Sequence, residues 1–204
     1  MVRWKTKTLK PEAPEKFSQS EPSAAETGAP TTLATMSSKA AVLNDPEGVL
    51  ELIELFFFAY RDFVGDADRL LSSYGFGRAH HRVIHFVQRR PGLSIAALLD
   101  ILKITKQSLN RVLKQLLDKG LVEAREGSTD RRQRLLFLTK KGSDLALELA
   151  ALQSARFERV LGNMPVKARD STAEFLFSMI DHDQRGQVQQ HIKDARSYKN
   201  ESAA

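Results

Sequence analysis

The chain has 204 residues, no cysteine and a formal net charge of +6. Without cysteine it has no disulfide, thiolate metal site or thiol redox sensor, and a reducing cytoplasm is the expected location. It contains no run of about 18 uncharged apolar residues, so we predict no membrane span. The basic N-terminus lacks the apolar segment of a secretory signal.

Composition predicts one domain with two tails. Residues 1–44 are rich in Pro, Ala, Ser, Thr and Glu and cannot bury enough apolar surface to offset the entropy of ordering. We therefore predict a disordered tail there, with Met36 as an alternative start. Residues 45–196 are predicted to form the domain, and residues 197–204 a frayed tail.

The first predicted element is a long helix from Glu47 to Leu71. Its apolar residues recur at alternating spacings of four and three: Val49, Ile53, Phe56, Tyr60, Phe63, Ala67 and Leu70. This repeat is typical of a helix that packs along its whole length. Further apolar residues widen the stripe beyond what one small domain usually buries, so we expect a second chain to cover it.

Three shorter helices follow. They are predicted to span Arg78–Arg89, Ile95–Leu102 and Lys106–Lys119. Ser94 and Thr105 are suitable N-caps for the second and third of them, and Gly120 ends the third. A tight turn at Lys103-Ile104 joins these two helices, which is the arrangement of a helix-turn-helix.

The third of these helices has an apolar face and a polar face. The residues predicted to face the core are Leu109, Val112, Leu113, Leu116 and Leu117. The polar face offers donors and acceptors that suit base edges in a major groove and, in the first turn, phosphate. The DNA-contacting residues predicted in this part of the chain are Ser94, Thr105, Lys106, Gln107, Ser108, Asn110, Arg111 and Lys114.

A β-hairpin with an arginine-rich turn comes next, between apolar runs that begin at Leu121 and Leu135. Guanidinium groups are almost never buried unpaired, so the turn must face water or an anion. From Pro91 to Gly142 there are eleven Lys/Arg against five Asp/Glu, and the 20 basic and 20 acidic residues elsewhere cancel. Basic charge confined to one quarter of the chain indicates a surface that binds a polyanion.

The C-terminal part is predicted to be helical. Thr139 is a suitable N-cap for one helix, whose apolar residues include Leu145, Leu149 and Phe157. A last helix is predicted from Pro165 to about His191.

The chain resembles the multiple-antibiotic-resistance regulator (MarR) family of winged-helix transcription factors over about Gly48 to His191. The resemblance lies in the combination of Gly120-Leu121-Val122, Asp130-Arg131-Arg132 and Leu138-Thr139-x-x-Gly142. It implies a mainly α fold with a small β-hairpin wing: a winged helix-turn-helix core, residues 77–138, flanked by long N- and C-terminal dimerisation helices, residues 47–73 and 165–191.

The resemblance also assigns roles in the hairpin. Arg132 matches the wing-tip arginine that enters the minor groove, where a narrow A·T tract attracts a guanidinium. Asp130 matches the acid that orients the wing by pairing with a nearby arginine. Arg131 and Arg134 are expected to contact phosphates or to remain in solvent. Alternatively, Glu123 or Glu126 forms an ion pair with one of these arginines.

The function implied is that of a transcriptional regulator, in the first instance a repressor. It would be a homodimer that binds a palindromic operator on double-stranded DNA, with half-sites about 34 Å apart. A small ligand between the dimerisation helices and the winged core would release it. The alternative is an architectural or partner-controlled DNA-binding protein without a small-molecule effector.

Candidate effector-binding residues are Tyr60, Arg61, His80, His81 and His85, with Arg82 as an alternative to Arg61. The histidines, with Asp66 or Asp68, offer an alternative as a metal site, but the simpler interpretation is that they are polar residues near the dimer cleft, so we predict no metal and no cofactor.

The chain has no nucleophile elbow, glycine-rich phosphate loop or zinc-protease motif, so we predict that it is not an enzyme.

Overall fold

Seven helices and three strands make up the part of the chain that the computed structural model describes, namely Asp45–Gly127, Asp130 and Arg132–Glu201. The elements are α1 (Pro46–Ser72), α2 (Arg78–Arg89), β1 (Leu93–Ser94), α3 (Ile95–Leu102), α4 (Lys106–Asp118), β2 (Val122–Glu126), β3 (Arg134–Leu138), α5 (Lys140–Leu161), α6 (Ala168–Ser178) and α7 (Arg185–Glu201). The predicted class, mainly α with a small β-hairpin wing, is confirmed. The predicted disordered tail, residues 1–44, lies outside the described residues.

No helix in the described ranges is long and apolar enough to cross a membrane.

The sheet has three antiparallel strands in the order β1-β3-β2. The predicted hairpin is confirmed, with Val122 opposite Leu138 and Glu126 opposite Arg134. The short strand β1, in which Leu93 lies opposite Leu136, was not predicted. Two residues are too few to show an alternating pattern, and β1 exists only because β3 pairs with it.

Side-chain caps begin three of the helices at the predicted residues. Ser94 Oγ accepts the N–H of Ala97 at 3.1 Å, and Thr105 Oγ1 accepts that of Ser108 at 3.2 Å. Thr139 Oγ1 does the same for Gly142 at 3.1 Å. Each contact satisfies an N–H that has no partner within its helix.

Two residues with left-handed backbone angles lie at the ends of the two helices of the helix-turn-helix. Lys103 has φ of 48° at the turn between α3 and α4. Gly120, with φ of +65°, ends α4 as predicted. The N–H of Leu121 bonds to the carbonyl of Leu116 at 3.0 Å and that of Gly120 to Leu117 at 2.9 Å, which is the Schellman arrangement.

The core lies around α2, which packs against α4, α5 and the sheet. Its fully buried side chains include Val83, Ile84 and Val87 of α2, Leu98 of α3, Leu109 and Leu116 of α4, Leu136 of β3 and Leu149 of α5. Leu117 was predicted to join them and does not: its side chain is 40% exposed. It follows Leu116 in the helix, one step of about 100° away from the buried stripe.

The single C-terminal helix predicted from Pro165 to His191 is wrong. The chain forms α6 and α7, separated by a turn at Met179–Gln184. This turn contains Asp181-His182-Asp183, which are poor helix formers. The Arg185 guanidinium donates to the carbonyls of Ile180 at 2.9 Å and Ser178 at 2.6 Å, so it satisfies acceptors that the end of α6 leaves free.

The predicted frayed tail, residues 197–204, is also partly wrong. Helix α7 continues to Glu201, so Ser197 and Tyr198 are helical. Ala195, near this end, is buried. Residues 202–204 lie outside the described part of the chain.

Candidate nucleic-acid interface

Helix α4 is anchored by one face and open on the other. Leu109, Val112, Leu113 and Leu116 are buried. The side chains predicted to contact DNA are all exposed: Lys106, Gln107, Ser108, Asn110, Arg111 and Lys114. The helix therefore presents a continuous row of donors and acceptors without losing its packing, as major-groove reading requires.

Two further predicted contacts, Ser94 and Thr105, already serve as caps. Ser94 is half-buried and its hydroxyl holds the first turn of α3. The Thr105 hydroxyl both accepts the Ser108 N–H and donates to Ser108 Oγ at 2.9 Å. Their clearest contribution is to fix the first turns of the two helices.

Asp130 organises the wing tip through the backbone. Its Oδ1 accepts the N–H of Arg132 at 2.9 Å, and its carbonyl accepts the N–H of Gln133 at 3.0 Å. The carboxylate therefore holds the main chain at Arg132. The pairing of Asp130 with an arginine side chain, which the resemblance implies, stays a prediction. The Arg132 side chain is exposed, and Arg131 lies outside the described residues.

The remaining arginine of the predicted set, Arg134, pairs across the hairpin with Glu126 at 3.4 Å. This is one of the pairings left open by the sequence. Arg125 was not predicted as a functional residue. It is exposed, donates to Glu123 and lies 4.3 Å from the centre of the Phe137 ring. Strand alternation places Arg125 and Glu123 on one face of β2, a signal that identifies the pair.

One face of α2 lines a cleft of about 330 Å³ against α1 and α5. The cleft is lined by Tyr60, Phe63, Val64, Arg78, His81, Arg82, His85, Phe86 and Gln153. Burial lowers the pKa of His81. The protein atoms packed around the His85 ring lower its pKa as well, although an edge of that residue is open to solvent, and His81 and Arg89 act in the same direction.

The five predicted effector residues do not all lie together. Tyr60, His81 and His85 line the cleft, whereas Arg61 pairs with Asp62 at 2.8 Å outside its lining. His80 lies on a different face of α2, beside α4. Within the described ranges, no group of three or more His, Cys, Asp or Glu residues is arranged to hold a metal ion.

Two ion pairs fix α1 to the elements around this cleft. Asp68 pairs with Arg78 at 2.8 Å, and this contact raises the pKa of the Arg78 guanidinium. Asp66 pairs with Arg156 at 2.7 Å, and its hydrogen bond with Arg156 lowers the pKa of the Asp66 carboxyl. Arg78, which lines the cleft, was not predicted to contact an effector. Arg82, the alternative to Arg61 in that prediction, does line it.

The capped α3–α4 pair and the β2–β3 wing define a winged helix-turn-helix protein, and comparison with known proteins agrees. The MarR family model matches residues 74–133. The HTH-type transcriptional regulator PetP of Rhodobacter capsulatus is 42% identical over 171 residues, which are 84% of this chain and 99% of the relative. The transcriptional regulator HosA of Escherichia coli O157:H7 is 21% identical over 104 residues, 51% of this chain and 77% of the relative.

Solved structures show the same fold. FabT of Streptococcus pneumoniae in complex with DNA has a TM-score of 0.58 at 18% identity and covers 64% of this chain and 94% of that one. The Staphylococcus aureus MepR–DNA complex has a TM-score of 0.51 at 16% identity, covering 62% and 93%. The chain belongs to the MarR family of DNA-binding transcriptional regulators. Its activity is therefore DNA binding and not catalysis, as the sequence predicted.

Proposed function

We propose that this regulator is a cytoplasmic repressor that binds a palindromic operator as a homodimer and is released by a small molecule. The observation that carries the DNA-binding part is the row of six exposed polar side chains on α4, beside the exposed Arg132 of the wing. The excess of basic residues from Pro91 to Gly142 supports the same surface.

The two elements suit different grooves. Gln107, Asn110 and Arg111 can make paired hydrogen bonds to adenine or guanine edges in the major groove. Lys106 lies at the positive end of the helix, where phosphate binds most readily. Arg132 would enter the neighbouring minor groove, with its backbone held by Asp130.

The homodimer is supported by the first half of α1. From Leu50 to Tyr60 every residue is exposed, although most are large and apolar; Phe57, for example, is 66% exposed. Further along the same helix, Val64, Ala67 and Leu71 are buried by the chain itself. A second copy would cover the first half, and its two-fold symmetry would set two α4 helices on one duplex.

The dimer proposal is tested by sedimentation velocity on a variant that combines Ile53→Glu and Phe56→Glu. We expect a monomer with unchanged helix content, because both side chains are exposed in the single chain (44% and 45%). We expect operator affinity to decrease because the variant no longer dimerises. Glu51→Gln, on the same exposed segment, is the matched control and should remain dimeric. A dimer that survives both glutamates would overturn the proposal.

The effector proposal rests on the cleft beside α2. Phe63, Val64 and Phe86 supply apolar surface, and Arg78 and Arg82 supply cationic groups, so a small aromatic anion fits its chemistry. Benzoate is a suitable first probe. We expect it to weaken operator binding by the unaltered protein and to have less effect on Arg82→Gln. If neither benzoate nor a panel of small aromatic acids changes operator affinity, the alternative without a small-molecule effector is favoured.

A further inference from the structure

We propose that His80 is a positioning residue for DNA reading, because it fixes the rotation of α4 through a hydrogen bond to Gln115. The inference rests on the proposed role of α4 as the reading helix. Its geometric basis is the contact of His80 Nε2 with Gln115 Oε1 at 2.7 Å, which joins α2 to α4. Neither residue belongs to the effector cleft.

The His80 ring is held on two other sides. It stacks on Phe76, with ring centres 4.4 Å apart and planes 12° apart, and Phe76 is part of the core. Its Nδ1 accepts the N–H of Gly77 at 3.2 Å. Because Nδ1 accepts, the ring proton is on Nε2, and Nε2 therefore donates to the amide oxygen of Gln115. Phe76 and Gly77 therefore hold the ring independently of its contact with α4.

Gln115 is well placed to control the reading face. It follows Arg111 by four residues and Ser108 by seven, so the three side chains lie along one side of α4. These three and residues of α2 line a common cleft of about 440 Å³. The buried side chains hold one face of α4 against the core, and the directional hydrogen bond between His80 and Gln115 further restricts rotation of the helix about its axis. Reading of base edges tolerates errors of about 0.5 Å, so this rotation determines where Arg111 points.

The two nitrogens of His80 have separable roles. Nδ1 caps the start of α2 through Gly77, and Nε2 contacts α4. An asparagine at position 80 retains an acceptor close to Nδ1 but is too short to reach Gln115. A glutamine extends its amide N–H to the region of Nε2. A purely structural capping role and the positioning role therefore predict opposite outcomes for the two substitutions.

The experiment measures the affinity of each variant for a duplex that the unaltered protein has selected from random sequences in vitro, with fluorescence anisotropy as readout. We expect His80→Gln to bind within about twofold of the unaltered protein. His80→Asn and Gln115→Met should each weaken binding about five- to tenfold, the usual effect of one lost hydrogen bond. Binding to a non-selected duplex should change little, because it depends on charge.

The double variant of His80→Asn and Gln115→Met completes a thermodynamic cycle. We expect it to bind no more weakly than either single variant, since both remove the same contact. Additive losses would overturn the inference, as would His80→Asn binding normally while His80→Gln binds weakly. If His80→Asn does not fold, as judged by thermal unfolding, Gln115→Met decides, because Gln115 is exposed and has no capping role.

Arg111→Ala separates this inference from the proposed function. If Arg111→Ala leaves affinity for the selected duplex unchanged, α4 is not the reading helix and the proposed function fails with it. If Arg111→Ala weakens binding but Gln115→Met does not, α4 reads DNA and only the positioning role of His80 is wrong.

Discussion

Gly142 of α5 packs directly against the carbonyl of Leu121, so closely that a Cβ built on Gly142 would lie 1.9 Å from the Leu121 oxygen. The same oxygen accepts the N–H of Thr139 at 3.1 Å, and Thr139 Oγ1 donates to the Gly120 carbonyl at 2.7 Å. The first turn of α5 is therefore seated on the start of the wing. This contact gives a physical reason for a glycine three residues after the capping threonine.

Gly142→Ala is expected to destabilise the protein by about 1–3 kcal/mol, because the new methyl group would overlap a backbone oxygen that cannot move aside freely. Urea unfolding followed by circular dichroism measures the change. Gly186→Ala is the matched control: Gly186 is also helical, but a Cβ there meets nothing within 4 Å. Alanine is the better helix former, so the control should be neutral or stabilised by up to about 1 kcal/mol. Equal effects of the two substitutions would contradict the close packing at Gly142.

Arg132→Ala is expected to weaken operator binding by about 1–3 kcal/mol while the dimer and the fold remain intact. The reason is the loss of the guanidinium that, in the proposed function, enters the minor groove. A gel-shift titration or fluorescence anisotropy gives the affinity. The control is Arg169→Ala in α6, which removes an exposed arginine outside the winged core. Unchanged affinity in Arg132→Ala would show that the wing arginine makes no contact of consequence.

The salt dependence of binding tests the phosphate contacts. The logarithm of the binding constant should fall linearly with the logarithm of salt concentration, with a slope of about 0.9 for each phosphate neutralised. Lys106→Ala is expected to weaken binding to all sequences alike and to reduce this slope by about 1. Lys193→Ala in α7 is the control. A slope that Lys106→Ala leaves unaltered would remove Lys106 from the interface.

Local signals in the sequence predicted the helix caps, the wing and the exposed face of α4 better than they predicted the elements around them. The caps at Ser94, Thr105 and Thr139 were found because a cap depends on a few adjacent residues. The wing was predicted because two apolar runs separated by a glycine and several arginines are typical of a β-hairpin and of few other structures. The exposed face of α4 followed from helical periodicity alone.

Features that depend on distant contacts were missed. Strand β1 forms only through β3, and the break between α6 and α7 is completed by the Arg185 side chain reaching back to Ser178 and Ile180. The histidines were treated as one cluster because they are close in sequence. Residues 81 and 85 are one helical turn apart and share a face, but residue 80 is rotated by about 100° from residue 81, which places it beside α4.

His191 is one of the residues that join the C-terminal helix to the winged core. Arg90 donates from Nη1 to His191 Nδ1 at 2.7 Å, so this nitrogen cannot carry a proton. Burial lowers the pKa of His191, and Arg90 lowers it further, while Asp194 and Asp100 act in the opposite direction. Burial also lowers the pKa values of His81 and His85 of α2.

These shifts determine how stability depends on pH. Each of the three histidines has a pKa in the folded protein below its ordinary value of 6.5, so between the two values the unfolded chain binds more protons. The stabilisation is complete above about pH 6.5 and is lost as pH falls toward the folded pKa values. We expect the urea concentration at the unfolding midpoint to decrease when the pH is lowered from 7.5 to 5.5. Replacing His81 and His85 together by glutamine should reduce this fall, because glutamine does not titrate. A midpoint that does not change over this range would show that the three rings are not held in the neutral form.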